Sequence, residues 1–172
     1  MKKLLVVAAA VSLVACGGAK PKPGGGSSGG GGEDAPSWVK QGSGEFNTEA
    51  GKRLQGIGTS GARDPRSRRE QADTKAKDQL TREVDALLIV LSKLSENTKD
   101  NASEEISAIG RKAAAKASKI SDHWVADGTE SSLDLLDLKS FKDALASVDG
   151  DEKLRKEMGN NADRAFDNMT KQ

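Results

Sequence analysis

Seven apolar residues, spaced three or four positions apart, constrain the fold of this chain more than any other feature. They are Ala72, Ala76, Leu80, Val84, Leu87, Leu91 and Leu94. This spacing places all seven on one side of an α-helix, so it predicts a long amphipathic helix whose apolar side faces a core. Asp64-Pro65 predicts the start of that helix, because Asp is a good N-cap and Pro is tolerated at the first helical position.

Three further helices are predicted closer to the C-terminus. Asn101 and Glu104 have the spacing of a capping pair and open a helix that runs through the alanines at 113 and 117. Residues 138–146 predict a short helix. Asp149 with Glu152 predicts the start of a last amphipathic helix.

The remaining patterns predict strands. Residues 52–60 form a short candidate strand, and after Ser118 the apolar period changes to two. Asp127-Gly128 is typical of a hairpin turn, which makes 130–137 the returning strand. The residues expected on one face of the first hairpin strand are Ile120, Asp122 and Trp124.

Together these elements predict an α+β fold. The order β-α-α-β-β-α-α favours a small antiparallel sheet of about three strands, covered by two long helices, with a C-terminal helical extension. We expect a single domain over residues 36–172, which is long enough for one core.

The N-terminus has the pattern of a cleavable export signal. Lys2 and Lys3 precede an apolar run over residues 4–15, which is shorter than a membrane span. Leu13-Val14-Ala15-Cys16 looks like a lipobox, in which the cysteine is acylated and cleavage occurs before it. We therefore predict that residues 1–15 are removed and that Cys16, the only cysteine, carries a covalent lipid.

Residues 16–35 are predicted to be the acylated Cys16 and a disordered tether. The segment has two prolines, then seven Gly and two Ser between Gly24 and Gly32, and it lacks apolar periodicity. The residue after Cys16 is Gly17. In enteric bacteria, Asp at this position is the common signal for retention in the inner membrane. The expected location is therefore the outer membrane, on its periplasmic face or at the surface.

Composition limits the chemistry that the chain can carry. There are one Cys and one His, so a Cys/His zinc site is excluded and we expect no metal and no cofactor besides the lipid. With 27 basic and 26 acidic residues, the chain offers no overall field for nucleic acid. His123 is expected to be an exposed strand residue. A role as general base would require a nucleophile and an orienting carboxylate nearby, and no nucleophile motif is present.

The segment Gly56-Ile57-Gly58-Thr59-Ser60-Gly61 matches the spelling of a dinucleotide-binding fingerprint. Such a motif must lie between a buried strand and a helix N-terminus. Here the preceding residues are polar and the helix begins only at Pro65. We therefore interpret the glycines as part of a strand end.

Four arginines around the start of the long helix form a candidate anion or partner site. They are Arg63, Arg66, Arg68 and Arg69. Cations at a helix N-terminus are mildly unfavourable, so the cluster is either a patch for lipid phosphate or an acidic protein, or a solvated helix start. Residues 52–83 carry a net charge of +4 and residues 121–172 a net charge of −5, which suggests a domain with two oppositely charged sides.

The aromatic and acidic residues of the domain are given structural roles. Trp38 and Trp124 are expected to be core anchors rather than a ligand platform. A set of acidic residues lacks the spacing of a calcium loop and is interpreted as strand and turn solvation. That set is Asp122, Asp127, Glu130, Asp134 and Asp137.

Several short motifs between residues 36 and 145 form a family pattern. They are Pro36-Ser37-Trp38-Val39, Gly56-Ile57-Gly58-Thr59, Asp122-His123-Trp124, Asp127-Gly128-Thr129, residues 133–138 and Phe141. In these motifs the chain resembles the LPP-twenty type of bacterial lipoproteins, to which a domain opening the flagellar assembly protein T is related. The resemblance implies an anchored envelope protein, in some members surface-exposed or linked to flagella, and offers no catalytic residues.

The expected function is that of a structural or interaction module, anchored in the cell envelope through Cys16, with another envelope protein as partner and no catalysis. The alternative is a periplasmic binding module for an anionic ligand or lipid headgroup, which would need a pocket lined by Trp38, Trp124 and the arginines. An envelope enzyme would need converging titratable groups. Neither the partner nor the oligomeric state follows from the sequence.

Overall fold

A computed structural model describes residues 34–95 and 102–171, which form one antiparallel sheet and five helices. The helices are α1 (Ser37–Gln41), α2 (Pro65–Leu94), α3 (Ala102–Ala117), α4 (Leu138–Leu145) and α5 (Glu152–Met169). The strands are β1 (Gly44–Thr48), β2 (Gly51–Ser60), β3 (Lys119–Ala126) and β4 (Thr129–Asp137). The α+β prediction is confirmed. The predicted signal peptide, Cys16, most of the tether and Asn101 lie outside the described residues.

The sheet has four strands in the order β1-β2-β4-β3, so the prediction of about three strands was one short. All neighbouring strands are antiparallel. The missed strand, β1, has Phe46 as its only large apolar residue and therefore shows no alternating pattern in the sequence. It pairs with β2 and forms one edge of the sheet, and β3 forms the other.

Helix α2 lies so close to β2 that only glycine fits beneath it. A Cβ atom at Gly56 would collide with the backbone of Ala76 and Leu80, and one at Gly58 with the backbone of Ala72 and Ala76. Because these positions carry glycine on β2 and mostly alanine on α2, the backbones of the helix and the strand are in direct contact. This packing explains the Gly-x-Gly spacing that imitates a nucleotide-binding motif.

The main core lies between the helices and one face of the sheet. Its strand contributions are Leu54 and Leu136, and the apolar sides of α2, α3, α4 and α5 supply the rest, with Phe141 and Phe166 fully buried. The predicted stripe of α2 is buried from Ala72 to Leu91. None of the described helices is long and apolar enough to cross a membrane.

Two predicted helix starts can be compared with the structure. Asp64 caps α2, since its Oδ2 accepts a hydrogen bond of 2.7 Å from the backbone N–H of Ser67. The cap of α5 is Asp151, which accepts from the N–H of Leu154, and not Asp149. Gly150 has a φ of 145°, a conformation that places a turn between Asp149 and the helix.

The hairpin of β3 and β4 is confirmed, with Asp127 and Gly128 both at positive φ in its turn. A β-bulge between Ile120 and Asp122 interrupts the regular alternation of β3. Ile120 is therefore opposite Asp134, while Asp122 is opposite Leu133, and successive residues of β4 face opposite sides of the sheet. The expectation that Ile120 shares a face with Asp122 was wrong.

Candidate functional site

A cavity of about 580 Å³ opens between α2, α3 and the strands β3 and β4. We call it the α2–α3 cavity. Its volume lies within the range of about 300–1,000 Å³ that is usual for small-molecule sites. The lining residues are Lys77, Leu80, Thr81, Val84, Arg111, Ala114, Ala115, Ser118, Lys119, Ile120 and Asp134.

The floor of the cavity combines apolar side chains with one buried carboxyl group. Leu80, Val84 and Ala114 are buried, and Ile120 is half-buried beside them. Asp134 on β4 is only 2% exposed, and its Oδ1 has no hydrogen-bond partner among the described residues. A buried polar atom without a partner costs free energy, so this oxygen favours a donor that enters the cavity.

The environment of Asp134 disfavours the charged form of its carboxyl group. Burial raises its pKa above the usual value, and the carboxylate of Asp73 adds to this effect, whereas the charge of Lys77 opposes it. The Lys77 ammonium group is nonetheless not within ion-pair distance of Asp134 in the described structure. Within residues 34–95 and 102–171, the carboxyl group of Asp134 therefore has no direct counter-charge.

The rim of the cavity is basic. Lys77 and Lys119 are exposed there and, within the described residues, have no ion-pair partner. Arg111 is also at the rim, but its Nε lies 2.9 Å from Oδ1 of Asp85 on α2. The two lysines are therefore the cations that a ligand could reach without breaking an existing pair.

A backbone irregularity of β3 shapes one wall of the cavity. The β3 bulge turns Ile120 toward the helices, as bulges do near sites where a side chain must be redirected. On the other side of Asp134, the paired residue of β2 is Gly56, over which the backbone of α2 packs directly. Asp134 thus lies between a glycine and a redirected isoleucine.

The four arginines predicted as an anion site do not act as one free patch. Arg68 donates to the backbone oxygens of Ala62 and Arg63, so it closes the loop before α2. Arg66 is exposed and pairs with Glu70 at 3.0 Å. Arg69 contacts the ring of His123 and lies 3.7 Å from Glu130. Arg63 is exposed beside them, and anion binding by this cluster stays a prediction.

His123 is half-buried between β3 and α2. Arg69 can only donate, so Nδ1 of His123 accepts its hydrogen bond at 2.9 Å, and Nε2 then donates to Oδ1 of Asp73 at 2.7 Å. Burial raises the pKa of Asp73, but the nearby Ser132 hydroxyl, His123 and Arg69 lower it more, so the net pKa is below the usual value. Because both ring nitrogens are engaged, His123 is not arranged here as a general base toward Ser132, which is opposite it on β4.

The tryptophans lie on the sheet face that is turned away from α2. Trp38 is buried, as predicted, and its indole N–H donates to Asp122 at 3.2 Å. Trp124 shares that face of β3 with Asp122 but is half-buried. Since Arg69 lies on the α2 side beside His123, the structure does not form a pocket from both tryptophans and the arginines.

The interpretation of the acidic set as solvation was wrong for two of its five members. Glu130 and Asp134 are buried on the helix side of β4, whereas Asp122, Asp127 and Asp137 are exposed. Antiparallel strands covered on both faces show no polar alternation, so the sequence pattern of β4 did not reveal which carboxyl groups are buried.

The two oppositely charged segments pack against each other and pair. Lys52 of β2 contacts Asp163 and Asp167 of α5, at 3.5 Å and 2.7 Å. Arg69 lies near Glu130 in the same way. The expected division into a basic and an acidic side is therefore reduced by ion pairs that join the two segments.

No group of three or more His, Cys, Asp or Glu side chains within residues 34–95 and 102–171 is arranged to hold a metal ion. The chain matches no protein-family model, no curated protein and no solved structure. The resemblance to LPP-twenty lipoproteins therefore remains a prediction.

Proposed function

We propose that the protein is a lipid-anchored lipoprotein of the cell envelope, at the outer membrane, whose folded domain is a structural or interaction module. The observation that carries this proposal is Cys16, the only cysteine, placed between an apolar run and a Gly-rich segment. Each buried CH₂ of an acyl chain contributes about 0.8 kcal/mol, so two or three chains hold a protein on a bilayer durably.

The predicted tether supports the same arrangement. A Gly-rich segment of roughly 20 residues has a typical end-to-end distance of about 25 Å. The first buried residues among those described are Ala35, the last residue of that segment, and Trp38. The domain would therefore be held clear of the lipid headgroups, where a partner can reach it.

Membrane fractionation tests the anchor. The chain is exported with residues 1–15 replaced by an ordinary cleavable signal peptide and with Cys16→Ser, so that export continues without acylation. We expect this variant in the soluble fraction and the unaltered chain in the membrane pellet. The control is Gly17→Ala in the unaltered chain, which keeps Cys16 and should stay in the pellet. An unacylated variant that still pellets with membranes would refute the anchor.

The edge strand β3 supports the interaction role. It is the last strand of the described sheet, and its Val125 is 57% exposed next to half-buried Trp124. An open strand edge is a surface on which another chain can add a strand. A photo-crosslinker at position 125 is expected to trap one discrete envelope protein in cells, and a crosslinker at exposed Lys139 on α4 is the control. Equal labelling from both positions would contradict a partner at β3.

A second candidate function is a binding module for an anionic ligand. The observation that favours it is the α2–α3 cavity, which is concave, has an apolar floor and carries at its rim two lysines without an ion-pair partner among the described residues. This function is compatible with a lipid anchor, because the cavity belongs to the folded domain.

A further inference from the structure

We infer that the α2–α3 cavity binds an amphipathic organic anion that also carries a hydrogen-bond donor. This inference deepens the second candidate function and does not depend on the lipid anchor. Three features of the cavity each favour one part of such a ligand. The carboxyl group of Asp134, whose Oδ1 has no partner among the described residues, favours a hydrogen-bond donor, the apolar floor favours an apolar body, and the basic rim favours an anionic group.

The donor is called for by Asp134. Asp134 lines the cavity, and its buried Oδ1 has no hydrogen-bond partner among the described residues. A bound hydroxyl or N–H group would satisfy this oxygen, and bonds to a carboxylate are stronger than those between neutral groups.

The apolar body is called for by the floor. Leu80 and Val84 lie one turn apart on α2, and Ile120 faces them from β3 because of the bulge. These side chains lose contact with water when a ligand covers them, which favours binding in proportion to the apolar area buried. Ala114 and Ala115 on α3 are small, so they leave the space open.

The anionic group is called for by the rim. Lys77 and Lys119 are exposed at the opening, and Arg111 adds a third cation that Asp85 already partly neutralises. These two ammonium groups have no ion-pair partner in the part of the chain that the structure describes. Their charge outweighs that of the single carboxyl group in the floor, so the opening attracts an anion rather than a cation. A carboxylate, sulfonate or phosphate would meet both requirements of the rim, charge and hydrogen bonding.

The first test uses anilinonaphthalene sulfonate, which has an apolar body, an N–H donor and an anionic group. The mature chain with Cys16→Ser is used, so that no acyl chain takes up the probe. We expect saturable fluorescence enhancement, weakened about tenfold or more by Ala115→Trp, which fills the cavity opening. Ala108→Trp is the matched control, since Ala108 is exposed on the same helix and does not line the cavity. Equal binding by both variants would place the probe elsewhere and overturn the inference.

The second test addresses the rim and does not depend on the fold tolerating a tryptophan. Replacing Lys77 and Lys119 together by Gln should weaken probe binding about fivefold at low salt, and the difference should shrink as salt rises. Lys112→Gln on the outer side of α3 is the control, since Lys112 is exposed and does not line the cavity. Decanoate should displace the probe better than decyltrimethylammonium. The reverse order, or no effect of the double substitution, would contradict an anion site.

The third test addresses Asp134. In the protein without a substitution at Asp134, ω-hydroxydecanoate should displace the probe about fivefold better than decanoate. The reason is that its hydroxyl group donates to Oδ1 of Asp134. Asp134→Leu should abolish this preference while the protein remains folded, since an apolar residue of similar size is tolerated at a buried charged position. A preference that is absent from the unaltered protein, or that survives the substitution, would remove Asp134 from the site.

Discussion

The buried carboxyl group of Asp134 makes the stability of the domain depend on pH. The pKa of Asp134 is raised in the folded protein, chiefly by burial. At pH values between its ordinary pKa and this raised pKa, the folded state therefore binds more protons than the unfolded state. Asp134 therefore lowers stability as pH rises through that window, and the loss persists above it. Each unit of pKa difference corresponds to about 1.4 kcal/mol.

Asp134→Asn is expected to remove this loss. Relative to the unaltered protein, the variant should gain stability as pH rises from 3 toward 7, with the gain levelling off once Asp134 is ionised in the folded protein. Urea unfolding at several pH values, followed by circular dichroism, measures the difference. A difference that is independent of pH would show that the carboxyl group is not buried as described.

The hydrogen bond between His123 and Asp73 links the edge strand β3 to α2. Both side chains are less than a third exposed, so their interaction is only partly screened by water. A double-mutant cycle with Asp73→Ala and His123→Ala should give a coupling free energy of about 1 kcal/mol. The matched cycle on the exposed pair Arg66 and Glu70 should give less than half of that. Additive effects at the first pair would contradict the contact.

At the scale of elements, the contact between α2 and β2 depends on two glycines. Gly56→Ala or Gly58→Ala should destabilise the domain by about 3 kcal/mol, because the added methyl group meets helix backbone, which cannot rotate away. Gly61→Ala is the control, since its added atom has ordinary space and its φ is not in the left-handed range. Urea denaturation compares the three variants, and similar stabilities would contradict the close packing of helix on strand.

A helix or strand could be predicted where the local sequence pattern determines it, and could not where tertiary contacts do. The long helix α2 was predictable because its stripe repeats over more than 20 residues, and its cap Asp64 obeys a local rule. Strand β1 could not be predicted, because its pairing with β2 is a tertiary contact. A single apolar residue, Phe46, does not produce an alternating pattern.

The candidate site could not be predicted for a similar reason. The cavity depends on a bulge, which is a backbone irregularity without a sequence period, and on the pairing of Asp134 with Ile120 across the sheet. The glycines of β2 were correctly assigned to a strand, but their contact with α2 is a property of two elements together. Only the presence of a carboxyl group at position 134 was visible in the sequence.

At the scale of the whole molecule, the proposed sorting to the outer membrane rests on the residue after the lipidated cysteine. Gly17→Asp in an enteric host is expected to move the acylated protein from the outer to the inner membrane. Density-gradient separation of the two membranes measures this, and Gly18→Ala, which leaves position 17 unchanged, is the control. Unchanged outer-membrane recovery of Gly17→Asp would show that sorting in this chain does not follow the enteric rule.

Mass spectrometry of the N-terminal peptide, from protein extracted from its own membranes, shows whether Cys16 carries a lipid. We expect a peptide that begins at residue 16 and carries a diacylglyceryl group on the cysteine sulfur, with or without a further acyl group on the new amine. A peptide that begins elsewhere, or that contains Cys16 as an unmodified thiol, would contradict the lipid anchor.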